Sequence, residues 1–195
     1  MMTAMKCSTR SGGPSLRTTF ATAFAILTVC AASAQAAPVK IPAAVYAPIA
    51  AEAGTWDADI TFYDAKDQPI AKHARGVQIN TMLRNKHWIT NEFSVSGTPY
   101  QGHGVWGYDP VAKTYVDTWV DTNDQSVRTD YGFWDAAKST MYWSSKQPDG
   151  EGHFIDYRMV EVFHGRTRLF TVYQLGMEKT VMHPLVAFVF TRRSR

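Results

Sequence analysis

The sequence predicts an all-β protein, a closed antiparallel up-and-down barrel of about ten strands with a short helix ahead of it. Three observations carry this expectation. Aromatic and β-branched runs of six to ten residues recur from Gly54 onward, separated by turn clusters such as "DAKDQP", "YDPVAKT", "DAAKS" and "QPDGEG". The runs alternate with period two. In "TWDADITFY", Trp56, Ala58, Ile60 and Phe62 fall on one face and Thr55, Asp57, Asp59, Thr61 and Tyr63 on the other, the signature of a half-buried strand. Finally, the turns are short, so neighbours in sequence pair as a meander, and closure removes the two open edges that invite aggregation.

Three segments follow along the chain. Residues 1–36 read as a secretory signal peptide. Lys6, Arg10 and Arg17 form a basic leader free of acids, "FATAFAILTVC" is an apolar run, and "ASAQA" ends in small residues that place cleavage near Ala36. The apolar run falls short of the about 20 residues a membrane helix needs, so no membrane span is expected in the mature chain. The expected destination is the periplasm or the exterior. Both cysteines, Cys7 and Cys30, lie in the leader, so the mature domain would have no disulfide. Lipidation at Cys30 is the lesser alternative, because Val29 is bulky for the position before a lipidated cysteine.

Residues 37–53 form an Ala- and Pro-rich extension with a short helix, Pro48 near its start and Gly54 at its end. Residues 54–193 form the barrel, with strands expected near 55–63, 70–82, 87–95, 100–109, 114–121, 126–134, 140–146, 153–163, 168–174 and 181–191. A barrel of this size encloses side chains and room for one small ligand.

Charge narrows the function. Of 20 Lys and Arg, three lie in residues 1–36, while all 17 Asp and Glu lie beyond, so the mature chain is formally neutral. A neutral chain lacks the basic field that nucleic-acid binding requires, and no nucleic-acid partner is expected. The six histidines show no metal-ligand spacing, so no metal and no cofactor is expected, haem at His103 or His183 included. Nor is there a mature cysteine nucleophile, a Gly-x-Ser-x-Gly elbow or a phosphate-cradling glycine loop. Oligomeric state leaves no mark.

The most informative stretch is "GHGVWGYDPVAKTYVDTWVD", residues 102–121. With Pro110–Lys113 as a four-residue loop, Asp109 opposes Thr114, Tyr108 opposes Tyr115, Trp106 opposes Asp117, Gly104 opposes Trp119 and Gly102 opposes Asp121. The glycines across from Trp119 leave space for its indole to lie over the neighbouring strand, while Gly107 is assigned to curvature. One face of the hairpin gathers Trp106, Tyr108, Tyr115 and Trp119 with Asp117 and Asp121; the other carries His103, Val105, Val116, Thr118 and Val120. Either face is free to turn inward on sequence grounds.

"GTW" at 54–56 resembles the Gly-x-Trp opening of lipocalin-like barrels of the calycin type. The hairpin at 102–121 is similar to that of a bacterial lipocalin-like family known as domain of unknown function 1579. "YGFWDAAKSTMYW", "DYRMVEVF" and "LVAFVFTRR" extend the likeness over most of residues 48–193. Asp117 departs from the pattern, standing where a small residue is expected. The resemblance implies a closed antiparallel barrel and no established activity.

The expected function is therefore binding of a small apolar or amphipathic molecule. Trp106, Tyr108, Tyr115 and Trp119 would form the wall, and Asp117 or Arg158 would orient a polar end. Two alternatives stand beside it. One is a barrel enzyme, an isomerase, cyclase or hydratase, with Glu92, Asp117 or Asp121 as proton shuttle. The other is a filled structural barrel of the envelope, in which the same rings are plain core.

Overall fold

The computed structural model describes residues 41–176 and 178–194. The signal-peptide expectation for residues 1–36 lies outside them. A 3₁₀ turn, Ala43–Tyr46, leads into a helix α1, Ala47–Glu52, with Pro48 in its first turn where no N–H is needed. Ten strands follow: β1 Gly54–Tyr63, β2 Pro69–Met82, β3 Trp88–Val95, β4 Gln101–Asp109, β5 Thr114–Asp121, β6 Arg128–Asp135, β7 Thr140–Pro148, β8 Phe154–His164, β9 Thr167–Leu175 and β10 Met182–Arg192. Each pairs antiparallel with its sequence neighbour, and β1 pairs with β10, which closes the barrel. Among the described residues no helix is long and apolar enough to cross a membrane.

Alternation sorts side chains as the sequence suggests. Trp56, Ala58 and Ile60 are buried inside, while Asp57 and Asp59 point to solvent, where they meet Arg193 and Arg75. Gly54 joins helix to strand with φ +126°, a conformation that L side chains rarely adopt.

The β4–β5 hairpin has the register counted from its loop, with Gly104 opposite Trp119 and Trp106 opposite Asp117. The face carrying Trp106, Tyr115 and Trp119 turns inward; His103, Val105 and Val120 turn out. Gly107 lies on the outer side, where an added Cβ would come within 2.5 Å of the Trp88 ring. It admits an aromatic cover as well as curvature.

The interior has two ends. The helical segment plugs one: Val45, Tyr46 and Ile49 pack on Trp106, Tyr115, Met141 and Trp143. The Tyr115 hydroxyl donates to the Val45 carbonyl at 2.6 Å, the Trp56 indole donates to the Glu52 carbonyl at 2.8 Å, and Arg192 donates to the Ala51 and Ala53 carbonyls. These bonds satisfy carbonyls that a helix end leaves orphaned. Toward the other end Ile60, Phe93, Phe188 and Phe190 pack around open space.

Candidate functional site

That space is a cavity of about 590 Å³ whose rim includes the exposed residues Thr98, Pro99 and Asn123, from the turns opposite the helical plug. Its wall is largely apolar. Phe62 and Ile60 come from β1, Phe93 and Val95 from β3, Trp119 from β5, Phe170 and Val172 from β9, and Val186, Phe188 and Phe190 from β10. Several rings meet edge to face, as Phe93 does with Tyr100, Phe188 and Phe190, with centroids 5.7–6.1 Å apart.

Trp119 makes the wall continuous where β4 has glycines. A Cβ on Gly102 would lie 2.1 Å from Trp119 Cζ2, and one on Gly104 2.8 Å from its Cε3. The indole therefore lies across both glycines, anchored by its N–H donating to Asp121 at 3.1 Å, and Tyr100 donates to the same carboxylate oxygen at 3.2 Å. Gly102→Ala should force this ring aside and cost about 1–3 kcal/mol, the usual range for overpacking. Chemical denaturation measures the loss, and the double variant with Trp119→Ala should recover most of it; an additive double variant would mean the ring is not the obstacle.

Deeper in, toward the plug, the cavity is polar. Arg168 is 2 % exposed and lies at the centre of this layer. Its Nη1 donates to Glu161 at 2.6 Å and pairs with Glu52 at 2.5 Å, its Nη2 donates to Gln78, and its guanidinium lies 4.2 Å from the Phe190 ring centre and 4.9 Å from that of Trp56. Glu52, the last residue of α1, also accepts from Asn80 at 3.0 Å and Asn91 at 2.8 Å. Burial is the main cause that lifts the Glu161 carboxyl to about 7; Arg168 opposes it, and Glu52 adds to the rise.

Asp117 and Asp130 stand opposite each other on β5 and β6 and both line the cavity. Asp130 is 1 % exposed; its Oδ2 accepts from Arg128 Nε at 2.9 Å. Asp117 Oδ1 and Asp130 Oδ1 are shut off from solvent and make no hydrogen bond among the described residues. Burial raises both carboxyls, Asp117 far above its ordinary value, with the Asp130 charge contributing to that rise and Arg128 opposing it.

Of the six residues expected at the site, Trp106, Asp117 and Trp119 line the cavity. Tyr108 and Tyr115 face inward at the plugged end, where they border a smaller hollow of about 300 Å³ beside Val45. Arg158 does not join them. Its neighbours Tyr157 and Met159 point into the cavity, so strand alternation turns Arg158 outward, where it is exposed and bonds the Tyr157 carbonyl. The buried cation is Arg168, ten residues on. Glu92 and His103 are exposed, as their place on the outer faces of β3 and β4 requires. His183 pairs with Asp67 at 3.1 Å near the β1–β2 turn.

The family model described as "Protein of unknown function (DUF1579)" matches residues 42–192. Among solved structures, a protein of unknown function of the DUF3598 family from Nostoc punctiforme is similar at 7 % identity over 76 % of this chain and 99 % of its own, with a TM-score of 0.25. No curated protein matches.

Proposed function

The chain belongs to the DUF1579 family of proteins of unknown function, and from the geometry of its cavity we propose that it is an exported, lipocalin-like barrel that binds a small, largely apolar molecule. The hollow of about 590 Å³ carries this reading. It falls within the roughly 300–1,000 Å³ of pockets that hold small molecules, and it has the apolar wall such pockets have. Burial of the ligand against Trp119, Phe93 and Phe188 supplies affinity, and the polar layer around Asp117 and Arg168 selects its polar end. Trp106 closes the space between that layer and the plug. The Gly-x-Trp opening supports the lipocalin-like assignment, and the leader in residues 1–36 supports export to the periplasm or beyond.

A filled structural barrel would have no such hollow. The enzyme reading draws on a specific residue, because Asp117 is a carboxyl beside the cavity that holds its proton more tightly than usual. Native mass spectrometry of the protein purified from its own host distinguishes the readings. A binder carries a small molecule and returns it unchanged after incubation. Release of an isomer or a water adduct would replace binding by catalysis, and a preparation always at the mass of the bare chain would speak against both.

A further inference from the structure

The polar side of the cavity carries more acid than base. Glu52, Asp117, Asp130 and Glu161 line it against Arg128 and Arg168, with Lys72 at the exposed rim, over the Phe62 ring. The ion pairs account for most of these groups. Arg168 answers Glu52 and Glu161, and Arg128 answers one oxygen of Asp130. Asp117 has no ion-pair partner among the described residues, and the remaining oxygen of Asp130, almost wholly buried, has no hydrogen bond of ordinary geometry, its neutral neighbour being the buried Ser145 hydroxyl.

A buried carboxylate oxygen without a partner is costly, so burial favours the protonated form of Asp117 and Asp130 in the empty site. A ligand that brings its own positive charge can take that proton's place, and the proton leaves to solvent. A ligand with an anionic end would add to the excess of acid, and a neutral one would leave it as it is.

We propose that the ligand is a cationic amphiphile, an amine whose ammonium binds at Asp117 and Asp130 while its apolar body lies against Phe93, Phe170 and Phe188. This rests on the binding reading above and adds the charge of the ligand's polar end.

The test uses three probes of matched length, octylamine, 1-octanol and octanoate, titrated calorimetrically into the purified chain at pH 7.5. Octylamine is expected to bind about tenfold or more tighter than octanol, and octanoate weakest. Asp117→Asn should remove about tenfold of the octylamine affinity and leave octanol nearly unchanged. In the unsubstituted protein, octylamine affinity should also rise from pH 5 to 7.5, because the raised carboxyls of Asp117 and Asp130, faced by Glu52, Glu161, Arg128 and Arg168, compete less for the site with protons as these grow scarce, while octanol stays flat. This arm holds should the variant fail to fold. Octanol or octanoate binding as tightly as the amine, or an amine affinity indifferent to pH and to Asp117→Asn, would overturn the charge assignment and leave apolar binding standing. No binding of any of the three would overturn both.

Discussion

Arg168→Ala is expected to destabilise the barrel by about 3–5 kcal/mol, the cost of leaving buried charges without their partner. The residue ties the plug to the barrel wall. Its guanidinium reaches Glu52 at the end of α1, Glu161 on β8 and Gln78 on β2, and it lies between the rings of Trp56 and Phe190. Removing it leaves Glu52 and Glu161 facing each other in a buried layer, with a cavity where the side chain was. Arg168→Lys keeps the charge but loses the planar fork, which cannot be replaced by one ammonium serving three acceptors, and should cost less. Urea midpoints measure both. A loss below about 1 kcal/mol for Arg168→Ala would mean that the layer does not tie plug to wall.

Stability should fall as pH rises from about 5 to 7.5. Glu161 holds its proton up to about 7 in the folded chain against 4.5 for the free group, and Asp117 and Asp130 are raised above 3.8, all mainly through burial. A carboxyl with a raised folded value stabilises fully below its unfolded value and loses that contribution as pH climbs through the folded one. Glu161 should withdraw on the order of a few kcal/mol over this window by the same linkage, and Asp117 and Asp130 act in the same direction. The aspartates with lowered values, Asp57, Asp124, Asp135, Asp149 and Asp156, act in the opposite sense but only at more acidic pH. The melting temperature should therefore be highest near pH 5, and Asp117→Asn should raise it at pH 7.5 and flatten the slope. A melting temperature that climbs steadily from pH 5 to 7.5 would contradict the raised values.

The barrel was legible because its inner faces obey period two with few exceptions, as β1 shows, and because the four-residue loop Pro110–Lys113 sets the register of β4 against β5. The direction of the hairpin was not legible. Both faces hold apolar residues, and the inner one also holds Asp117, so composition alone does not rank them. The polar layer was harder still. Glu52 reaches Asn80 and Asn91 across 28 and 39 residues, and only the helical plug brings it there. A signal for Arg168 did exist, since it is in phase with Phe170 and Val172, and Glu161 is in phase with Met159. Counting the same phase from Tyr157 and Met159 turns Arg158 outward. Charged residues at inward positions read as errors of phase unless a partner on another strand is known.

Binding of N-phenyl-1-naphthylamine, a neutral dye that brightens in apolar surroundings, tests the hollow interior most directly when compared with Val186→Trp, which places an indole in the cavity wall. One saturable site is expected in the unsubstituted chain, with energy transfer from the tryptophans that line the cavity, and its loss is expected in a variant with an unchanged β-sheet circular dichroism spectrum. Equal binding by the filled variant, or no saturable site in either protein, would contradict a ligand-sized cavity inside this barrel.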